Sequence, residues 1–434
     1  MENKVGSTVP YFFTRAELAQ IHQDVLDNKP NAKKLIVVEN KVYDITEFIV
    51  DHPGGERVIK TQVGRDATDV FKEMHPPSAY ELLANLYVGD VEPKMMKNSK
   101  AAAFAQEIRD LRLRLEKEGL FEASTSYYVY KVLSTVLVCV VGLVILQLWG
   151  KTSTLAVVIS AVIVGLFWQQ CGWLAHDFAH YQVIKDPHLN NLFLHQCVGE
   201  DPDIDTAPIL LWDEFAAANF YGSLSNSGYD KFLAEHVLPF QTRYYFFILA
   251  FARTSWAFQS LKYSFKNESL TKSKVLSWCE RLFLMIHWVF FSSCALAWID
   301  SWRNVALFFI ISQMTAGYLL ALVFAMNHNG MPILSSAQAS ATEFYELQVI
   351  TGRDVTSTAF GDWLMGGLNY QIEHHVFPEM PRHQLPLVKP MVKQLAQKYD
   401  IRYHDTSFLG GTFEVLKTLD IIQRLSLRLS KKVY

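Results

Sequence analysis

The chain has 434 residues, a net charge of −3, a pI near 6.5 and 50% apolar residues. That balance excludes a nucleic-acid binder, which carries a basic surface. Charged residues make up only 19% and mean hydropathy is +0.10, whereas soluble domains carry about 25% charge. The apolar residues are bunched into runs, so membrane segments are expected, and the length admits more than one domain. The N-terminus starts polar, so no secretory signal peptide is expected. The five cysteines (139, 171, 197, 279 and 294) form no CxxC pair and read as small buried hydrophobes in a reducing compartment.

Residues 10–90 read as one small α+β domain. Thr14, with Glu17 three positions on, predicts a capped helix start. Leu35–Val38 and Lys41–Asp44 are strand candidates, with Glu39-Asn40 as the turn between them. The stretch 51–56 is a loop by composition, and short helices are expected over 56–62 and 67–72. His52 heads the run His52-Pro53-Gly54-Gly55, and His75 lies 23 positions later. Two histidines on opposing loop–helix units can clamp a flat macrocycle from both faces. Filling both axial sites favours electron transfer over oxygen binding. Gly54 and Gly55 let the backbone approach the macrocycle edge without a Cβ in the way.

Residues 91–125 read as a polar linker followed by an amphipathic helix over 101–118. Leu111, Leu113 and Leu115 stand there among Arg109, Arg112, Arg114 and Lys117. Two settings are open for it, the membrane surface or a solvated connector.

Residues 126–415 read as an all-α membrane domain with about four transmembrane helices. Apolar runs cover 131–149, 154–175, 282–299 and 305–325, each near the ~20 residues that cross a bilayer. The segment 244–258 is apolar but short and carries Arg253, which predicts a re-entrant or interfacial helix. Four crossings place the motifs before residue 200 and after residue 370 on one face. Residues 416–434 read as a C-terminal tail, and Lys431-Lys432 near its end has the form of a retention signal.

Those motifs are rich in histidine. His176 and His180 are four apart at the end of an apolar run, which puts both rings on one helix face. Asp177 between them can accept a hydrogen bond from a ligand ring. His374 and His375 are adjacent and follow Gln371 and Glu373. Imidazoles at the mouth of membrane helices suit an oxygen-activating iron, since they hold the metal and leave positions open. His328, in Asn327-His328-Asn329-Gly330, reads equally as a further iron ligand or as a polar loop histidine.

Residues 11–90 resemble cytochrome b5 through Lys41-Val42-Tyr43-Asp44-Ile45-Thr46-Glu47-Phe48, the His-Pro-Gly-Gly run, Gly64-Arg65-Asp66-Ala67-Thr68, Phe71 and His75. The resemblance implies heme b, with His52 and His75 as axial ligands. From about residue 11 to 415 the chain resembles the front-end fatty-acid desaturases, which fuse a cytochrome b5 to a membrane desaturase, in particular the fungal delta-6 members. The carrying residues are 165–177 (ending Ala175-His176-Asp177), Asp201-Pro202-Asp203-Ile204-Asp205-Thr206, and 367–375 (ending Glu373-His374-His375). Glutamine at 371, where other membrane desaturases have histidine, marks the b5-fused class.

The resemblance implies a non-heme di-iron centre and, as catalytic residues, His176, His180, Gln371, His374 and His375. It implies electrons from NADH through NADH-cytochrome b5 reductase and the fused heme, O2 as oxidant, and a fatty-acyl lipid or acyl-CoA as substrate. Delta-6 members convert linoleate and α-linolenate to γ-linolenate and stearidonate. The implied location is the endoplasmic reticulum membrane, multi-pass, with the b5 domain and histidine boxes on the cytosolic side. Fusion raises the effective concentration of the electron donor. Gly352-Arg353-Asp354-Val355 resembles a family segment near the entrance, where Arg353 meets an anionic head group or a surface acid.

One family feature is missing. The second histidine box, His-x-x-His-His, belongs between the first box and Asp201. Here Asn191-Leu192-Phe193-Leu194-His195-Gln196-Cys197-Val198-Gly199 runs straight into Glu200, which predicts an internal deletion near 199–200. His188 and His195 do not replace it. Three explanations rank in order: a gene model that skips an exon, a splice form or paralogue without activity, and an active rearranged site. The rival functions are a membrane-tethered b5 electron carrier with an inactive desaturase body and a delta-8 sphingolipid desaturase.

Overall fold

The computed structural model describes residues 11–27, 29–52, 56–75, 79–91, 100–185, 209–224, 228–265, 274–334, 338 and 342–433. Gly54, Gly55 and the junction at 199–200 lie outside them.

The N-terminal unit is a four-stranded sheet wrapped by short helices. Its strands are β1 (Tyr11–Phe13), β2 (Leu35–Val38), β3 (Lys41–Asp44) and β4 (Tyr87–Val91), in the order β1-β4-β3-β2. Glu39 and Asn40 both have positive φ, 52° and 62°, which gives the turn a twist that suits a two-residue hairpin. Pairing therefore runs in register from Leu35↔Asp44 to Val38↔Lys41. The helix Arg15–Leu26 starts on the expected capping box: the Glu17 amide donates to the Thr14 hydroxyl, and the Thr14 amide to the Glu17 carboxylate at 2.7 Å. Ile36, Val38, Ile45, Ile49, Phe71 and Leu83 form the core under the sheet. The short helices fall at Glu56–Lys60 and Thr68–Met74.

The helix Lys100–Lys117 turns its apolar stripe onto the protein itself. Phe104, Ile108, Leu111 and Leu115 form a stripe at helical spacing, and all are buried. They share one core with Tyr345, Val349, Ile372, Phe377, Leu385 and Val388 of the C-terminal half. Leu113 lies off the stripe and is exposed. Residues Arg109 and Arg112 reach the N-terminal unit instead. Arg109 donates to both oxygens of Asp69, at 2.8 and 2.7 Å, and Arg112 pairs with Glu73. The helix is thus a strut between the two halves.

Among the described residues, four helices are long and apolar enough to cross a membrane: Thr125–Trp149, Thr154–Ala179, Lys274–Trp298 through its segment Arg281–Trp298, and Trp302–His328. The second and fourth spans pack tightly at Gly165, where a Cβ would lie 2.6 Å from the Thr315 side chain. A small residue there lets the two backbones approach. The apolar segment 244–258 resolves into two helices, Gln241–Leu249 and Ala252–Phe265. Residues from 416 onward continue the helix Phe408–Val433, with Val415, Leu419 and Ile422 buried.

Candidate heme and metal sites

In the N-terminal unit the rings of His52 and His75 face each other with centroids 5.9 Å apart. Two metal–imidazole bonds of about 2 Å each, plus the ring halves, fill that gap, so an iron-bearing macrocycle fits between them. Phe71 stacks on His75 at 4.5 Å, and its carbonyl oxygen lies 3.1 Å from His75 Nδ1. A proton on Nδ1 satisfies that carbonyl and leaves Nε2 as the free donor atom. Burial lowers the His75 pKa, partly offset by the Phe71 carbonyl, and so favours the neutral ring that binds metal.

The second site forms where the second and fourth spans end and the short helix Gln371–Val376 closes over them. His176, His180 and His374 converge, with one ligand atom from each lying within 4.8 Å of the others. Their ring centroids are 4.6–4.7 Å apart. A second group adjoins it. His375 lies 5.9 Å from His374 and 5.3 Å from His328, and Gln371 Nε2 sits 3.1 Å from His328 Nε2 and 2.7 Å from His375 Nε2. His328 is the last residue of the fourth span, not a loop residue, and stands beside His375 and Gln371. Burial drives the His180 pKa to about 4 and His375 to about 3, and holds His374 well below its ordinary value. Neutral, nitrogen-only donors in two adjoining groups fit iron.

Several supports were not legible from spacing. Asn327 donates to Gln371 Oε1 at 3.0 Å and to the Leu368 carbonyl at 2.9 Å, which aims the glutamine amide nitrogen at the histidines. Gln182 Nε2 lies 3.4 Å from His374 Nδ1 and donates to the Pro378 carbonyl at 2.9 Å. Among the described residues Asp177 bonds no histidine ring. It is buried in an ion pair with Arg382, whose Nε donates at 2.6 Å while Nη2 donates to the Trp173 carbonyl. That pair joins the second span to the segment that follows His374-His375.

On the far side of the helix Gln371–Val376, Asp354 accepts the Ile372 amide at 2.9 Å and pairs with Lys389 at 3.0 Å. The Tyr403 hydroxyl lies 2.7 Å from Asp354 and 2.8 Å from Glu373. Burial first, and then the neighbouring Asp354 charge, raises the Glu373 pKa well above its ordinary value, and the Tyr403 hydroxyl is placed to donate to either carboxyl group. Arg353 is at neither an entrance nor the surface. It is fully buried, donates to the Met326 and Asn329 carbonyls, and pairs with Glu414 at 3.1 Å. It ties the end of the fourth span to the C-terminal helix.

Residues 194–407 match the family model described as Fatty acid desaturase, and residues 14–92 match the Cytochrome b5-like Heme/Steroid binding domain. The chain is 34% identical to the acyl-lipid (9-3)-desaturase of Physcomitrium patens, over 90% of this chain and 76% of the relative. It is 30% identical to the Delta(6)-fatty-acid desaturase fat-3 of Caenorhabditis elegans, over 89% and 95%. It is 29% identical to the Delta(8)-fatty-acid desaturase of Euglena gracilis, over 92% and 98%. The last two alignments run over 439 positions, more than the 434 residues of this chain, so these relatives hold residues with no counterpart here. With its N-terminal sheet unit, its four apolar helices and its histidine cluster, the chain belongs to the front-end fatty acid desaturases that carry a fused cytochrome b5 domain.

Proposed function

We propose that this chain is a delta-6-type desaturase that acts on linoleoyl and α-linolenoyl chains. The observation that supports the desaturase chemistry is the gathering of five histidines and Gln371 from three separate stretches of sequence, and the delta-6 assignment is supported by the similarity to the Delta(6) relative of Caenorhabditis elegans. In this reading His176, His180 and His374 hold one iron, and His328 and His375 hold a second, with Gln371 between them. Bound iron supplies the activation of O2 needed to attack an unactivated C–H bond, which acid–base side chains cannot attack. The protein keeps the imidazoles neutral by burial, and Asn327 and Gln182 fix the orientation of the donors around them. Heme b is assigned to His52 and His75, with Gly54 and Gly55 along its edge. Its reductant is NADH-cytochrome b5 reductase, and the setting is the endoplasmic reticulum membrane with both centres on the cytosolic side. A delta-8 specificity remains the rival substrate assignment, in keeping with the name of the Euglena relative.

A second reading is favoured by a specific count. Five imidazoles are few for two iron sites that each want several protein ligands, and the His-x-x-His-His box is absent from the sequence. The internal deletion near 199–200 is placed by the sequence alone, where Gly199 runs straight into Glu200. In this reading the desaturase body is silent and the chain acts as a membrane-tethered electron carrier. Fatty-acid profiling of yeast fed linoleate separates the two. The chain is compared with a version that carries a relative's second box between Gly199 and Glu200. Gamma-linolenate from both supports the active reading; product from the restored version alone supports the silent one.

A further inference from the structure

The helix Phe408–Val433 has two faces. Val415, Leu419, Ile422 and Ser426 form a buried stripe at helical spacing. Val415 and Leu419 share one core with Ala321 and Ala325 of the fourth span and with Tyr245 and Leu249 of the helix Gln241–Leu249. The other face is uncovered. Leu409, Phe413, Lys417, Ile421, Arg424, Arg428 and Lys431 recur three or four positions apart, and all are exposed, so they share one side. The apolar members are large and open to the outside: Leu409 and Phe413 are each 69% exposed and Ile421 is 51%. Asp420 pairs with Arg424 at 2.7 Å, whereas Lys417, Arg428 and Lys431 make no ion pair among the described residues. Large apolar groups interleaved with cations suit neither bulk water nor a protein core; they suit the boundary of a bilayer.

Position adds to chemistry. Ala321 and Ala325, against which the buried stripe packs, stand seven and three residues before the end of the fourth span at His328. At 1.5 Å per residue that is about 10 and 5 Å. A Cβ on Gly411 would lie 3.1 Å from Met326, and Arg353 clamps Glu414 to the Met326 and Asn329 carbonyls. The helix is therefore held across the last turns of the span, at the depth of about 5–10 Å where amphipathic helices lie in a membrane surface. The apolar surface continues onto its neighbour, the helix Gln241–Leu249, where Phe247 is 63% exposed.

We propose that this face lies in the surface of the bilayer that the four spans cross and gathers anionic phospholipid there. Leu409, Phe413 and Ile421 enter the acyl boundary, while Lys417, Arg428 and Lys431 meet the anionic headgroups. Two observations commit the face to this occupant. It is continuous with the ends of the spans, and its unpaired charges are all positive, each favourable at an anionic leaflet. Lys431, half of the dilysine that has the form of a retention signal, is helical and belongs to this face. An active and a silent desaturase body would carry the helix alike.

The test places an environment-sensitive fluorophore on Ile421→Cys in the full chain, reconstituted in vesicles of phosphatidylcholine and phosphatidylserine in equal parts. The chain without that substitution, treated alike, supplies the background from the native cysteines. The label is expected to emit as in an apolar medium. At low fractions of brominated lipid, brominated phosphatidylserine should quench it about fivefold or more as effectively as brominated phosphatidylcholine, the scale of one cation at an anionic surface. The triple change Lys417→Gln/Arg428→Gln/Lys431→Gln should bring that ratio to about one and leave the label apolar, because the apolar groups remain. Molar salt should lower the ratio in the labelled chain that keeps its cations. A label that emits as in water means that the face meets solvent or another protein, and overturns the proposal. Equal quenching by the two lipids in the chain that keeps its cations overturns it too, as does a ratio that survives the triple change. If the triple variant does not fold, judged by gel filtration and its heme band, the salt series decides, and a ratio indifferent to salt overturns it.

Discussion

Tyr345 donates its hydroxyl to the fully buried carboxylate of Glu73 at 2.6 Å, joining the helix Phe344–Thr351 to the helix that leads into His75. Arg112 of the strut completes the contact. Burial pushes the Glu73 pKa up to about 7 even beside that guanidinium, so the carboxyl depends on its partners. Arg112→Ala is expected to cost about 3–5 kcal/mol by leaving a buried acid without its cation, and Tyr345→Phe about 1 kcal/mol. Thermal unfolding followed both at the heme band and by tryptophan fluorescence checks this. The two signals should melt together in the wild type and separate in Arg112→Ala.

Asp177 and Arg382 are both buried, so removing one strands the other. Arg382→Leu should destabilise the chain by about 3–5 kcal/mol, whereas the double change Asp177→Leu/Arg382→Met should be milder. Iron per chain should fall in the single variant although neither residue is assigned as a ligand. Metal analysis alongside chemical unfolding reads both effects. A single variant with full iron and unchanged stability would remove the pair from the account.

Asn327 orients Gln371. Replacing it with leucine removes the donor that fixes the amide and lets the glutamine turn its oxygen toward His375. The expectation is a 10–100-fold loss in metal affinity, as for other groups that orient ligands, with heme content untouched. Competition against a metal chelator, scored beside the heme band, measures the two separately.

Burial, then the nearby Arg382 charge, holds the His383 pKa below 6.5. A neutral imidazole in the fold means that the unfolded chain binds more protons between that lowered value and 6.5. Its stabilising contribution is therefore present above pH 6.5 and fades as pH falls below it. Melting curves of wild type and His383→Gln from about pH 7.5 to 5 should diverge in slope, the wild type losing more. Both proteins keep the histidine cluster, so its titration cancels in the difference.

Gly366 has φ of +61°, and a Cβ there would lie 2.3 Å from Trp173. Gly366→Ala should unseat the turn that leads into Gln371, with destabilisation of several kcal/mol. Expression and iron content should both drop. A folded, iron-loaded Gly366→Ala protein would show that the turn tolerates movement.

Much of this arrangement could be read from local pattern. The Thr14 cap, the Glu39-Asn40 turn and the four spans follow from short-range rules on periodicity and turn chemistry. The i,i+4 pair His176/His180 and the doublet His374-His375 were legible because helix geometry dictates which rings share a face. Long-range partners were not. Asp177 looked like a support for its neighbouring histidines, but its partner lies some 200 residues away at Arg382. Arg353 looked exposed in a Gly-Arg-Asp stretch, yet the end of the fourth span and Glu414 bury it. The helix Lys100–Lys117 showed its amphipathic face, and no local rule named what would cover that face. Asn327 sits beside His328, and that adjacency was the available hint of its role.

The strut sets a condition on modularity. A flexible tether would let one electron-carrying module be exchanged for another by cutting at the linker. Here Asp69 and Glu73 fit Arg109, Arg112 and Tyr345 as a keyed joint, and those five positions come from three separate stretches of the chain. A chimera that imports a foreign N-terminal unit must carry its own matching strut and receiving helix, or it will dangle. Compatibility between the halves of such proteins is therefore inherited as a set, and swapping experiments that ignore the joint will misjudge a mismatched hinge as a poor electron donor.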